Sequence, residues 1–275
     1  MNNLSVLFDL SKVNFFKKPF PHIVIMDALP RQIADQLTSE FPIQAFDLSR
    51  NNKRLDISAM KVNSSRDISP LWKSFIKYHS SREFYKELIE IFKPHLSDKD
   101  YYFYSNLSTG IRGIHQHSKD QILLDAQISI NTPVRSESSV RKAHVDNTNK
   151  LFSGLFYLRS KDDASKGGDL EILEWNKAYT SKHKLKFYQE GVNVKHYSTF
   201  KRIKYDNNIA VLFLNSIDAL HKVTERQLTA FPRCFVNLVG ELGKDIFYKE
   251  TFFKRKTTSL TSKGKSFIKN LSNKQ

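Results

Sequence analysis

Apolar and polar positions keep mainly helical spacing through the first hundred residues and then turn to the short alternation of strands. An extended entry, Pro19-Phe20-Pro21-His22, leads into the apolar run Ile23-Val24-Ile25-Met26, which predicts one strand. Ala28-Leu29-Pro30 opens a helix, because proline fits a first turn, and Ile33, Ala34, Leu37 and Phe41 recur at helical spacing up to Pro42. From 45 to 69 the pattern is weak and polar, with Arg50, Lys53, Arg54, Lys61 and Arg66, and predicts a loop or irregular flap. Pro70 begins a second helical stretch. Leu71, Trp72, Phe75 and Ile76 give it one apolar face, and Phe84, Leu88, Ile91 and Phe92 give another before Pro94. Residues 101–107 are aromatic and alternate weakly, as an early strand would.

The second half reads as β structure. Strands are predicted at 127–131, at the buried run 151–158, and at the alternating 169–173, which follows a charged turn and the bend permitted by Gly167-Gly168. Residues 179–198 are polar and basic, a loop or insertion. Short strands follow at 200–203, 208–215 and 234–240. Short strands behind a helical N-terminal part predict an α+β, mainly β class: a jelly-roll sandwich with helices buttressing one side. The expected organisation is one domain over 1–250, helical over 1–100 with the jelly-roll core over about 101–250. A basic, flexible tail is expected over 251–275, where seven basic residues stand and no acidic ones.

Composition narrows this only slightly. The formal net charge of +16 raises a nucleic-acid or anionic-surface reading. The charge is spread along the chain, however, and an anionic cosubstrate and solubility account for part of it. Cys234 is the single cysteine, which excludes an internal disulfide and fits a reducing compartment; its neighbours Phe235, Val236 and Leu238 predict a buried thiol. No basic leader precedes a long apolar run, and no run is long enough to cross a bilayer, so the expectation is a cytoplasmic protein without a membrane span.

The candidate chemistry begins at Ala143-His144-Val145-Asp146-Asn147. His144 and Asp146 are two residues apart, so on an extended chain both project to one face. They can supply two ligands to a divalent metal, and His221, in Asp-Ala-Leu-His-Lys-Val-Thr, is the candidate third. Two histidines and one carboxylate are the facial triad of non-haem Fe(II) oxygenases. Taken singly, each histidine could be an ordinary hydrogen-bonded core residue and Asp146-Asn147 a turn. His115-Gln116-His117, with Asp120 and Asp125 nearby, offers a rival pair; no surrounding motif implies its third ligand, and a surface role is expected.

In sequence order, His144-Val145-Asp146, Phe156-Tyr157-Leu158, Gly167-Gly168-Asp169-Leu170, His221-Lys222-Val223-Thr224 and Arg233 resemble the Fe(II)- and 2-oxoglutarate-dependent dioxygenases, in particular the prolyl 4-hydroxylase branch. The likeness is good over 142–240 and looser over 20–42. It implies a double-stranded β-helix (jelly-roll) core, Fe(II) held by His144, Asp146 and His221, dioxygen as oxidant and ascorbate as a candidate reductant. It also implies that Arg233 binds the far carboxylate of 2-oxoglutarate, which a planar guanidinium suits, and that Tyr157 assists there. Leu170 and Asn237 are weaker candidates for lining that pocket. Arg233 lies twelve residues after His221, a little farther than the family spacing, which leaves Arg226 as a rival.

The implied activity is hydroxylation of an unactivated C–H with decarboxylation of 2-oxoglutarate to succinate; halogenation is disfavoured because Asp146 fills the position chloride would need. The substrate would be a peptidyl residue or a small or sugar-linked metabolite. Basic segments over 50–66 and 179–198 mildly favour an acidic or phosphorylated one. A non-catalytic jelly-roll binding module and a nucleic-acid-directed oxygenase are the alternatives. The oligomeric state is not legible in the sequence.

Overall fold

The computed structural model describes residues 3–118, 120–136, 138, 141–176 and 191–247. The tail over 251–275 and most of the loop expected over 179–198 lie outside the described residues. In chain order the elements are β1 (Val13–Phe16), β2 (His22–Met26), α1 (Arg31–Ser39), β3 (Arg54–Ile57), α2 (Ala59–Ser64), α3 (Pro70–His79), α4 (Arg82–Phe92), α5 (Asp98–Ser105), β4 (Ser108–Ile111), β5 (Gln121–Asn131), β6 (Lys150–Tyr157), β7 (Leu170–Trp175), β8 (Tyr197–Ile203), β9 (Ile209–Leu214), β10 (His221–Val223) and β11 (Arg233–Leu242).

Eight strands make the larger sheet, in the order β1-β2-β9-β6-β11-β5-β3 with β4 joined in parallel to β5; β10-β7-β8 make the smaller one. Side-chain alternation sorts the larger sheet's residues between two cores. Ile122, Leu124, Ala126 and Ile128 of β5, with Val236 and Leu238 of β11, pack against Trp72, Phe75 and Ile76 of α3 and Phe84, Leu88 and Phe92 of α4. Tyr157, Val211, Phe213 and Phe235, on the opposite face, pack against Leu170, Ile172 and Ile203 of the smaller sheet. The result is a double-stranded β-helix with helices covering its outer face, as expected.

Two local expectations are corrected. Residues 45–69 are not an irregular flap throughout: β3 pairs with β5, Arg54 opposite Asn131 and Asp56 opposite Ser129. β3 carries charged residues because it is the edge of the sheet, where apolar alternation would invite pairing with another chain. α2 follows at once, capped by the Ser58 hydroxyl and docked through its first N–H to the Asp125 carboxylate at 2.8 Å. Residues 101–107 belong largely to α5 rather than a strand. The Ser97 hydroxyl accepts the Asp100 N–H at 3.1 Å, and Asp98 and Asp100 sit in the first turn, where the helix dipole favours them. The first hundred residues are thus not purely helical, since three of their strands complete the larger sheet.

Candidate metal centre and its cavity

His144 precedes β6 in an extended segment whose alternate residues, Ala143 and Val145, are buried in a small apolar cluster with Leu173 and Leu220. That burial turns His144 and Asp146 the other way. The backbone then ties His144 to the first residue of β10: each of His144 and His221 donates its N–H to the other's carbonyl at 3.0 Å. A mutual pair of this kind puts the two side chains next to each other on one side of the ladder, and the imidazole centroids are 4.3 Å apart.

Backbone carbonyls also fix the rings. His144 Nδ1 is 2.7 Å from the Lys142 oxygen and His221 Nδ1 is 2.9 Å from the Ala219 oxygen. A carbonyl only accepts, so each Nδ1 carries the proton and each Nε2 keeps a free lone pair. Asp146 Oδ1 lies 3.6 Å from His144 Nε2, while Oδ2 accepts the Ser153 hydroxyl at 2.6 Å and has the Lys150 ammonium at 3.5 Å. Burial, with His144 alongside, lowers His221 to about 3, which keeps it unprotonated. Burial alone would raise Asp146, but the Lys150 ammonium alongside holds its carboxyl well below the usual carboxylate range. One ligand atom from each of the three residues lies within 4.8 Å of the others. They form a candidate facial triad, and the donor set suits a divalent metal such as Fe(II).

The triad opens onto a cavity of about 760 Å³ that also takes in Arg233, Leu170, Phe235 and Asn237. Arg233 is 1 % exposed. Its Nε donates to the Gly168 oxygen at 2.7 Å and its Nη1 to Asn131 Oδ1 at 3.3 Å, while Nη2 has no partner. The guanidinium lies over the rings of Tyr157, Phe235 and Tyr205, 4.8, 4.9 and 5.2 Å from their centroids. The Tyr157 hydroxyl is likewise buried without a hydrogen-bond partner. A buried cation and a buried phenol, each short of an acceptor or donor, fit a carboxylate between them. Arg226 is equally buried, but Asn52, Asn131, Thr132 and Phe231 take up its N–H groups. Gly167-Gly168 sets the arginines: both residues have positive φ, and a Cβ on Gly167 would lie 1.7 Å from the Glu225 oxygen.

No protein-family model matches the chain, and no curated protein does. Among solved structures it is similar to a prolyl 4-hydroxylase from Pseudomonas putida, at 12% identity over 88% of this chain and 100% of that one, with a TM-score of 0.45. It is similar to the Fe(II)/α-ketoglutarate-dependent dioxygenase TqaL, at 10% identity over 84% and 86% of the two chains and a TM-score of 0.44. A prolyl hydroxylase from Trichoplax adhaerens, in complex with a hypoxia inducible factor peptide, is 13% identical over 80% and 83%, with a TM-score of 0.40.

Leu170 lies wholly buried between the sheets, and Asn237 donates its amide to Gln127 at 2.7 Å. His115 and His117 are exposed, and His115 accepts the Ile111 N–H in a local turn at 3.0 Å, so this pair stands apart from the triad. Cys234 is only partly buried, and burial pushes its thiol up to about 12. Sequence reasoning missed Asn131, Ser153 and Lys150, and read Arg54 only as part of the basic segment over 50–66. Arg54, held to Asp56 at 2.9 Å, lies over the Phe235 ring at 5.5 Å. These residues come from three strands, and only the pairing register brings them to one cavity.

Proposed function

We propose that the chain is an Fe(II)- and 2-oxoglutarate-dependent oxygenase that hydroxylates an unactivated C–H of its substrate. The observation that carries this reading is the convergence of His144, Asp146 and His221 with both histidine Nε2 atoms bare and both Nδ1 atoms tied back. His144, Asp146 and His221 would hold the metal. Arg233 and Tyr157 would hold the far carboxylate of 2-oxoglutarate, a role supported by their unpartnered Nη2 and hydroxyl. Bound together, Fe(II), 2-oxoglutarate and dioxygen supply the oxidising chemistry, with 2-oxoglutarate leaving as succinate and carbon dioxide. The protein's share is positional. Ser153 and Lys150 keep the Asp146 carboxylate ionised and oriented, and Phe213 and Leu155 keep the neighbouring wall apolar.

Anaerobic addition of Fe(II) and 2-oxoglutarate to metal-free protein tests the reading. A weak visible charge-transfer band is expected, lost in His144→Ala and weakened in Arg233→Ala, and admission of oxygen should release succinate. No band and no iron binding would sink the oxygenase reading and leave a binding module with the same cavity.

A further inference from the structure

The floor of the cavity runs along β5 and β11 and changes character beyond Phe235. Asp125, Gln127, Ser129 and Asn131 of β5 face inward, while Leu124, Ala126 and Ile128 between them are buried against the helices. The inner face of a sandwich is ordinarily apolar, and burying polar groups there is costly unless they are paired. A row of polar side chains in that position points to a polar ligand.

Hydrogen-bond logic gives the row a direction. Asp125 accepts the Ala59 N–H at 2.8 Å through Oδ1 and the Gln127 amide at 2.9 Å through Oδ2. A carboxylate only accepts, so Gln127 turns its NH2 to Asp125 and its oxygen to the Asn237 amide. Asn237, 7 % exposed, is left with Oδ1 facing the cavity and no donor for it among the described residues. Four residues on, Glu241 is also 7 % exposed and lines the same cavity. Its Oε2 meets Arg112 Nε at 3.1 Å, and Arg112 Nη1 also reaches Asp125 Oδ2 at 3.5 Å. One guanidinium, on a side chain 44 % exposed, therefore serves two buried carboxylates. Lys150, the cross-strand neighbour of Glu241, is turned to Asp146 instead. Burial raises Asp125, and Glu241 adds to that. At this end of the floor two carboxylates therefore share one guanidinium, and Asn237 adds an acceptor beside them.

We propose, building on the oxygenase reading, that the substrate is an amine: its ammonium docks on Glu241 beside Arg112, and a second donor, hydroxyl or amide N–H, meets Asn237 Oδ1. Arg233 lies at the other end of β11, so the cosubstrate and the substrate's charged group occupy opposite ends of the cavity.

Ligand-observed saturation-transfer NMR on the metal-free full-length protein tests this without turnover. The probes are glucosamine, L-lysinamide and cadaverine, each beside its derivative with every amine N-acetylated. At least one amine should bind tenfold or more tightly than its N-acetyl partner, and Glu241→Gln should erase that preference. If no amine outbinds its N-acetyl partner in the wild-type protein, or if a preference persists in Glu241→Gln, the inference is overturned. The charge-transfer band is recorded on the same preparation. A band without amine preference removes this inference alone, whereas amine preference without a band removes the oxygenase reading and leaves the amine site standing.

Discussion

At Arg233 the fold buries a guanidinium with one N–H group facing no acceptor, an arrangement that costs free energy until an anion arrives. Arg233→Met is therefore expected to leave the ligand-free protein as stable as wild type or more so, while weakening 2-oxoglutarate binding by at least about 30-fold, the equivalent of roughly 2 kcal/mol for losing one partner of a buried charged pair. Denaturant unfolding with and without 2-oxoglutarate reads both effects. His79 shows the reverse economy, with every polar atom used. Its Nδ1 donates to the Phe75 oxygen at 2.9 Å and its Nε2 accepts the Val6 N–H at 3.2 Å, so the ring is neutral in the fold. Burial lowers its pKa from 6.5 to about 4. Below pH 6.5 the unfolded chain takes up a proton that the folded one refuses, so stability is full above 6.5 and falls until pH reaches about 4. At pH 5 the loss is about 2 kcal/mol. Urea unfolding at pH 7.5 and pH 5 should show it, and the difference should shrink in His79→Gln.

Among the elements, the turn before β7 is the most exacting. A side chain at Gly167 would meet the Glu225 carbonyl and a positive φ together. Gly167→Ala should lower stability by about 1–3 kcal/mol, the range for a strained backbone position, and should weaken 2-oxoglutarate binding as well, because the next residue's carbonyl holds Arg233 Nε. A variant that lost stability but kept full cosubstrate affinity would refute the coupling. That glycine pair was legible in the sequence, as were the buried strands β6, β9 and β11, because long apolar runs and a double glycine have few other uses. That His144 and Asp146 face the same way was legible too, since residues two apart share a strand face whatever surrounds them. β3 was not, because an edge strand is selected to look polar. α5 was misread because none of its residues is fully buried, so its aromatic residues follow no core periodicity. The acceptors on the cavity floor were legible only at Asn237: Asp125, Gln127, Asn237 and Glu241 are joined by the pairing of β5 with β11, and pairing register is not written in either strand alone.

Over the whole molecule, the candidate metal ligands lie where the two sheets meet, His221 on the smaller sheet and His144 and Asp146 on the approach to the larger. A ligand there braces both sheets at once. Mn(II) with 2-oxoglutarate at about 1,000 times their dissociation constant should add roughly 4 kcal/mol to an EDTA-treated protein, which for a chain of this size raises the melting temperature by roughly 8–16 °C; EDTA should reverse it, and His221→Ala should abolish it. No helix among the described residues is long and apolar enough to cross a membrane. The unpartnered Arg233 Nη2 beside the Tyr157 phenol also bears on how the protein is handled. With Arg233 and Tyr157 binding a carboxylate as proposed, protein purified from cells should leave the column with a passenger dicarboxylate. Its apparent appetite for added 2-oxoglutarate would then be set by how slowly that passenger departs.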